Sequence, residues 1–172
     1  MRRHGEAGPP DGLVEFVRVR SDGLLRSAWL LTGDAKRAED LVQTVLADAW
    51  PRWPRIADGG QPEAYLRRAL FTTYVSRWQW RWRGQIPRPP TEDPGYGDMA
   101  VGSADRDAVC RALARLTRRQ RAIVVLRCVE DLSVARTAEI LGCPASTVEA
   151  QQQKALRTVQ ADPHLELFAV WR

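Results

Sequence analysis

Leu116-Thr-Arg-Arg-Gln-Arg-Ala-Ile-Val-Val-Leu-Arg127, Glu130-Asp-Leu-Ser133 and Thr137-Ala-Glu-Ile-Leu-Gly-Cys-Pro-Ala-Ser-Thr-Val-Glu149 lie in the stretch 116–156, whose reading decides the fold. Thr117-x-x-Gln120 is a capping-box signature and starts one helix. Ser133 can cap the next, although Arg136 at its third position lacks the reciprocal acceptor. Gly142 stands where a left-handed residue closes a helix, and Pro144 starts the last helix, where a missing N–H is harmless. Val148, Ala155, Leu156 and Val159 supply the inner face of that helix. Ser146, Thr147, Glu149, Ala150, Gln151, Gln153 and Lys154 point outward. Two short helices joined across a glycine turn form the helix-turn-helix plan, whose second helix enters the DNA major groove. Gln can pair with adenine and Glu can accept from cytosine N4, so the outward set suits groove reading. A solvated helix face would carry similar residues.

The wider composition agrees with a nucleic-acid partner. The chain has 172 residues, 44% of them hydrophobic, a net charge of +5 and a pI near 9.6. That is enough for a packed core in one domain or two small ones. Five arginines and no acid lie between Arg67 and Arg83, and six arginines and no acid between Arg111 and Arg127. These two basic zones suggest two contact surfaces. Lys36 and Lys154 are the only lysines, a bias that a GC-rich genome would also produce. Cys110, Cys128 and Cys143 are scattered, as expected of reduced thiols. His4 and His164 are too remote to complete a metal site, so no metal and no cofactor is expected. No secretory signal and no membrane span is evident.

Upstream of the deciding stretch the pattern is helical throughout. Leu13, Phe16, Val17, Leu24, Leu25, Ala28 and Leu31 keep helical spacing. Gly33 breaks it and Asp34 is placed to cap the next helix. That helix carries an apolar stripe of Leu41, Val42, Val45, Leu46, Ala49, Trp50 and Trp53, limited by Pro51 and Pro54. A third helix is expected from Pro62 to Trp82. Its broad apolar face holds Leu66, Leu70, Phe71, Tyr74, Val75, Trp78 and Trp82. Trp80 falls opposite, beside Thr72, Ser76, Gln79 and Arg83, where base stacking or a protein partner would explain it. From Gly84 to Ser103 helical periodicity gives way to four prolines and four glycines. The predicted organisation is therefore all-α: a flexible arm over 1–10, a helical domain over 11–83, a Pro/Gly-rich linker over 84–104 and a second helical domain over 105–162. The second opens with a helix from Asp105 to Ala114 that turns Ala108, Val109, Ala112 and Leu113 inward. The apolar tail 165–171 is suited to docking on the protein or on a partner.

Leu-Leu-Thr-Gly-Asp (30–34), Ala-Glu-Asp-Leu-Val-Gln (38–43), Ala-Tyr-Leu-Arg-Arg (64–68), Leu-x-x-Arg-Gln-Arg-Ala (116–122), Glu-Asp-Leu-Ser (130–133) and Leu-Gly-Cys-Pro-x-x-Thr-Val (141–148) occur in this order across a proline-rich linker. Together they resemble the group IV, extracytoplasmic-function sigma factors of bacterial RNA polymerase in the sigma-70 family, and within them the SigE-like group. The resemblance covers roughly 13–82 and 105–159. It implies a sigma-2 helical bundle and a sigma-4 helix-turn-helix domain. It also implies as partners the polymerase core (beta-prime clamp coiled coil and beta flap) and promoter DNA, and it admits an anti-sigma protein. Carried over by position, Asp40, Leu41 and Gln43 match the beta-prime contact. Thr72, Thr73, Arg77, Trp80, Arg81 and Arg83 match the −10 segment. Ser146, Thr147, Glu149, Ala150, Gln151 and Lys154 occupy the −35 reading surface.

Several positions depart from the family pattern. Thr72 stands where Asn is common, Thr44 where Glu is common, and Glu149 and Gln151 where basic residues are common. The alternative function is a helix-turn-helix regulator that binds duplex DNA without the polymerase. The Ala-Glu-Asp-Leu-Val-Gln and Trp/Arg helices speak against it, since a simple repressor needs neither. The usual constellations of an enzyme, namely a Gly-rich phosphate loop, a carboxylate pair or a His-based triad, are missing from the sequence. A sigma-like scaffold that has lost DNA binding is a further class, and Glu149 keeps it in view. A carboxylate near phosphates repels them but can select a cytosine. Glu149→Ala is therefore expected to change the −35 preference read from randomised duplexes; an unchanged profile would refute this role.

Overall fold

The computed structural model describes residues 12–76 and 103–160, and among them all regular structure is helical. Helix α1 (Leu13–Thr32) ends at Gly33, whose φ of 70° lets its N–H turn back to the Trp29 carbonyl at 2.7 Å. Asp34 follows as expected: its carboxylate accepts from the Arg37 N–H at 2.8 Å and caps α2 (Ala35–Ala49). Leu24, Ala28 and Leu31 of α1 pack with Leu41, Val42 and Val45 of α2 and with Leu66, Leu70, Phe71 and Tyr74 of α4 (Pro62–Ser76). This is the apolar pairing that the helical spacing predicted. The remainder of the third helix, with Trp78, Trp80 and Trp82, lies outside the described residues, as do the arm 1–10, most of the linker and the tail.

Between α2 and α4 the expected stripe is only half realised. Trp53 is buried and its ring lies 5.3 Å from that of Phe16. Trp50, placed in the same stripe, is 40% exposed. The cause is local: Pro51 tightens Trp50–Arg52 into a 3-10 turn, which changes the angular step before α3 (Trp53–Asp58) begins.

The C-terminal helices are α5 (Ser103–Ala114), α6 (Arg118–Val124), α7 (Val134–Leu141) and α8 (Ala145–Gln160). Helix α5 begins two residues before Asp105, inside the stretch assigned to the linker. The Thr117/Gln120 capping box is present in both directions, and Ser133 caps α7 through the Arg136 N–H. After α6 the chain widens into a π-helical turn, Val125–Val129, and the Glu130 N–H reaches the Val125 carbonyl at 3.0 Å. Such wide turns are rare, and periodicity gave no sign of this one. Gly142 has φ 60° and joins α7 to α8 as expected. Pro144 stands one residue ahead of α8; its carbonyl accepts from Thr147 and Val148.

The two sets of helices are packed against each other. Leu113, Leu116, Val124, Val125 and Leu126 share one apolar cluster with α1, α2 and α4. Ile123, Ala138 and Val148 form a smaller cluster inside the helix-turn-helix. Polar contacts cross the same boundary. Buried Arg121 donates from Nε to the Leu30 carbonyl at 2.6 Å. A Cβ at Gly33 would stand 3.1 Å from Arg121 Nη2, so a larger residue there would press on the guanidinium. Arg118 lies over the Tyr74 ring, 5.9 Å from its centre. Glu130 accepts from Ser27 and pairs with Arg67 Nε at 2.9 Å. This corrects the view of both basic zones as contact surfaces: Arg67, Arg118 and Arg121 serve the internal boundary.

Burial pushes the Tyr74 phenol above its ordinary 10.0, and the charges of Arg121 and Arg118 offset part of the rise. The unfolded chain therefore loses this proton first. The contribution to stability is fully present below pH 10 and is lost as pH climbs beyond it. Tyr74→Phe has no proton to lose there and is expected to flatten the alkaline fall in urea-unfolding free energy. Equal pH slopes for the two chains would contradict this.

Candidate nucleic-acid interface

Helix α8 is amphipathic in the sense the sequence suggested. Val148, Ala155 and Val159 are buried, while Ser146, Glu149, Ala150, Gln153 and Lys154 are exposed and Thr147 is half-buried. Gln151 differs. Its Oε1 accepts from Gln120 Nε2 at 3.2 Å, and Gln120 Oε1 in turn accepts from the Thr117 N–H at 3.1 Å. The capping box of α6 thus holds the amide of Gln151 with its oxygen engaged. Pairing to adenine N6 and N7 uses both ends of a Gln amide. Gln151 is better disposed to donate to a phosphate or to an acceptor on a base edge. The neighbouring Gln152, absent from the expected surface, accepts from Arg127 Nε at 3.1 Å, and Arg127 Nη1 also donates to the Leu132 carbonyl. The Arg127–Gln152 contact ties α8 to the turn that follows α6.

A second surface lies on α4. An open cleft of about 270 Å³ runs between the end of α2 and α4, lined by Asp48, Arg52, Tyr65, Arg68, Thr72, Thr73 and Ser76. Thr72 is half-buried and its hydroxyl donates to the Arg68 and Ala69 carbonyls at 2.9 and 3.1 Å. Thr73 is only 9% exposed and lines the cleft from within. Arg77, Trp80, Arg81 and Arg83 lie outside the described residues. Tyr65, Arg52 and Arg68 were not among the expected contacts. Their signal was present in the sequence as Tyr65, Arg68, Thr72 and Ser76, a run at spacings of three and four along one helix edge. An aromatic ring and two guanidinium groups around a cleft are the chemistry of stacking and phosphate contact.

On α2, Asp40 is half-buried and Gln43 is exposed, so both reach the surface. Leu41 does not. It is fully buried between α1, α2 and α4, which corrects the expectation of a direct contact: its place in the motif follows from packing. Among the described residues no cluster of His, Cys, Asp and Glu could hold a metal ion, and no helix is long and apolar enough to cross a membrane. The three cysteines are free and half-buried, and burial pushes the Cys128 thiol up, away from the reactive thiolate.

With this geometry in place, the comparisons with known proteins are specific. The family Sigma-70, region 4 matches residues 106–159, which contain α6, α7 and all but the last residue of α8. The chain is 38% identical over 148 residues to the RNA polymerase sigma-E factor of Streptomyces avermitilis, covering 86% of this chain and 83% of that protein. It is 37% identical to the sigma-E factor of Streptomyces coelicolor, with 86% and 84% covered. It is 32% identical to the ECF RNA polymerase sigma factor SigL of Mycobacterium tuberculosis, with 80% of each covered. Among solved structures, the sigma factor RpoE in complex with the anti-sigma factor NepR from Bartonella quintana superposes with a TM-score of 0.66 at 24% identity, covering 86% of this chain and 94% of that one. This last likeness is one of fold.

The burial of Leu41 separates packing from contact. Leu41→Ala is expected to lower the unfolding free energy by about 2–5 kcal/mol, and Gln43→Ala to leave it within about 0.5 kcal/mol. Urea titration of both variants measures this; a Leu41→Ala chain as stable as the parent would contradict the assignment.

Proposed function

The chain belongs to the extracytoplasmic-function (group IV) sigma factors of the sigma-70 family, and on that premise we propose how its surfaces divide the work of promoter-specific initiation. Helix α8 reads the −35 element. The observation that carries this is the α7–Gly142–α8 turn, which leaves Ser146, Glu149, Ala150 and Lys154 exposed on one side of a helix whose other side is locked by Val148 and Ala155. The cleft on α4 receives the opened −10 strand, with Thr72 at its edge, Tyr65 as a stacking surface and Arg52 and Arg68 for phosphates. Arg77, Trp80, Arg81 and Arg83, which match the −10 segment by position in the sequence, would act on the same strand. Asp40 and Gln43 on α2 meet the beta-prime clamp coiled coil, and the helix-turn-helix half rests on the beta flap.

The protein performs no catalysis of its own. Stacking of an unpaired base on an aromatic ring contributes about 1–3 kcal/mol, which offsets the unstacking that opening requires. The work is placed in the cytoplasm, where polymerase and promoter are, and an anti-sigma protein is a natural regulator for it. RpoE of Bartonella quintana provides the precedent, solved with the anti-sigma factor NepR.

Titration of labelled chain with purified core polymerase tests the division of labour. Asp40→Ala and Gln43→Ala together are expected to weaken core binding by at least about tenfold, or ~1.4 kcal/mol, with stability unchanged. Core affinity equal to that of the parent chain would overturn the placement of this contact.

A further inference from the structure

Two side-chain amides form a hydrogen-bond chain that leads from the start of α6 to the reading helix. It begins at the Thr117 backbone N–H, which can only donate and which Gln120 Oε1 accepts at 3.1 Å. That settles which end of the Gln120 amide faces the cap. The other end, Nε2, has protons and no lone pair to offer, and it donates to Gln151 Oε1 at 3.2 Å. The sense of each step thus dictates the sense of the next. The first step is itself held, because the Thr117 hydroxyl accepts from the Gln120 N–H at 3.3 Å and completes the capping box. The orientation of the Gln151 amide therefore follows from a backbone group at the start of another helix.

Gln151 is half-buried and lies on one edge of α8. At about 100° per residue, Thr147, Gln151 and Lys154 follow that edge at spacings of four and three, and Glu149 falls on the opposite edge. Among the described residues no hydrogen bond takes up Gln151 Nε2. Lys154, exposed on the same edge, has donors only. The carboxylate of Glu149 brings acceptors to the other side. The helix thus carries a donor edge and an acceptor edge. In the major groove guanine shows two acceptors, O6 and N7, and thymine shows O4, whereas cytosine and adenine carry amino donors. A glutamine free to turn takes adenine with both ends of its amide. One tied by its oxygen offers a donor and suits guanine or thymine.

We propose that Gln120 is a positioning residue for −35 reading: its hydrogen bond holds the Gln151 amide with the NH2 end toward the groove, and so selects guanine or thymine at the base that Gln151 meets. The selection rests on α8 reading the −35 element, as proposed above; the hydrogen-bond chain does not. The arrangement can be reversed by a single group. In Gln120→Glu one carboxylate oxygen still accepts from the Thr117 N–H, since Glu serves a capping box as Gln does. The other oxygen then meets the oxygen of Gln151 and repels it. The terminal torsion of a glutamine is broad and roughly two-fold, so the amide turns over, donates to the carboxylate and brings its oxygen to the groove. The preference then passes from guanine or thymine to cytosine or adenine.

Core polymerase loaded with the full chain, selecting from the DNA upstream of the chain's own gene with its −35 region randomised, reads the preference. Hydrogen exchange of the glutamine side-chain amides, followed by NMR in the free chain, reads the hydrogen-bond chain separately. The parent is expected to enrich guanine or thymine at one base pair by at least about threefold, and Gln151→Ala to lose that enrichment. Gln120→Glu is expected to enrich cytosine or adenine there instead, and to select nothing there when combined with Gln151→Ala. Gln120→Met breaks the tie without adding charge and is expected to admit adenine. Slow side-chain exchange is expected at Gln120 in the parent and at Gln151 in Gln120→Glu. A Gln120→Glu profile equal to the parent's, or one that changes as much without Gln151, would overturn the positioning role. A loss spread evenly over all sequences in Gln151→Ala would overturn the base contact and leave a phosphate contact in its place. No preference in the randomised region with any chain would sink the −35 reading. The exchange would still decide the hydrogen-bond chain, which fast exchange at Gln120 in the parent would overturn.

Discussion

A guanidinium buried between two halves of one chain sets the terms for the rest of this structure. Arg121 leaves α6, crosses the boundary and donates to the last turn of α1 at Leu30. Burial pushes its pKa below the ordinary arginine value, with Tyr74 opposing the shift. A buried N–H left without a partner costs about 1–3 kcal/mol, so the site cannot be as favourable as an apolar one of equal volume. The corner that receives it is built for the purpose: Gly33 ends α1 in a left-handed turn and has no side chain to occupy the guanidinium's space. The turn that directs α1 into α2 is thus also the socket for α6. The core of the N-terminal helices and the placement of the helix-turn-helix depend on the same few residues.

From that frame the functional surfaces follow as what remains uncovered. The inner face of α8 is committed to Val148, Ala155 and Val159, and its lateral edges are fixed by Gln151 to Gln120 and Gln152 to Arg127. Only the outer edge is left for a groove. On α4, Leu66, Leu70, Phe71 and Tyr74 take the inner side and Arg67 turns to Glu130. Tyr65, Arg68 and Thr72 are left around the cleft. The same economy explains Asp40 and Gln43, which sit either side of a buried Leu41. A motif that looks like a run of surface residues is, in three dimensions, two surface positions held in register by a core residue.

Much of this was legible in the sequence because helices announce themselves by period and caps. Asp34, the Thr117/Gln120 box, Ser133 and Gly142 each act as their chemistry suggests, and the apolar stripes of α1, α2 and α4 meet as spaced. What was not legible depends on contacts far apart in the chain. No local pattern distinguishes Arg121 from Arg119, yet one is buried and the other exposed. Nothing in 125–129 signals a π-helical turn, because Val, Leu and Cys suit an ordinary helix as well. Trp50 left its expected stripe through the angular step imposed by Pro51. The cleft was hidden for a different reason: Arg52 and Asp48 come to it from another element than Tyr65 and Thr72, and only the fold brings them together.

On the proposed division of labour this chain opens promoter DNA as part of a polymerase, with its two halves acting at two places. Permanganate footprinting of unpaired thymines measures this most directly, using core polymerase, the purified chain and the DNA upstream of its own gene. Reactive thymines are expected only in the −10 region, only when chain and core are combined, and are expected to be abolished by Tyr65→Ala together with Arg68→Ala. Duplex binding by the chain with no reactive thymines in the presence of core would contradict it.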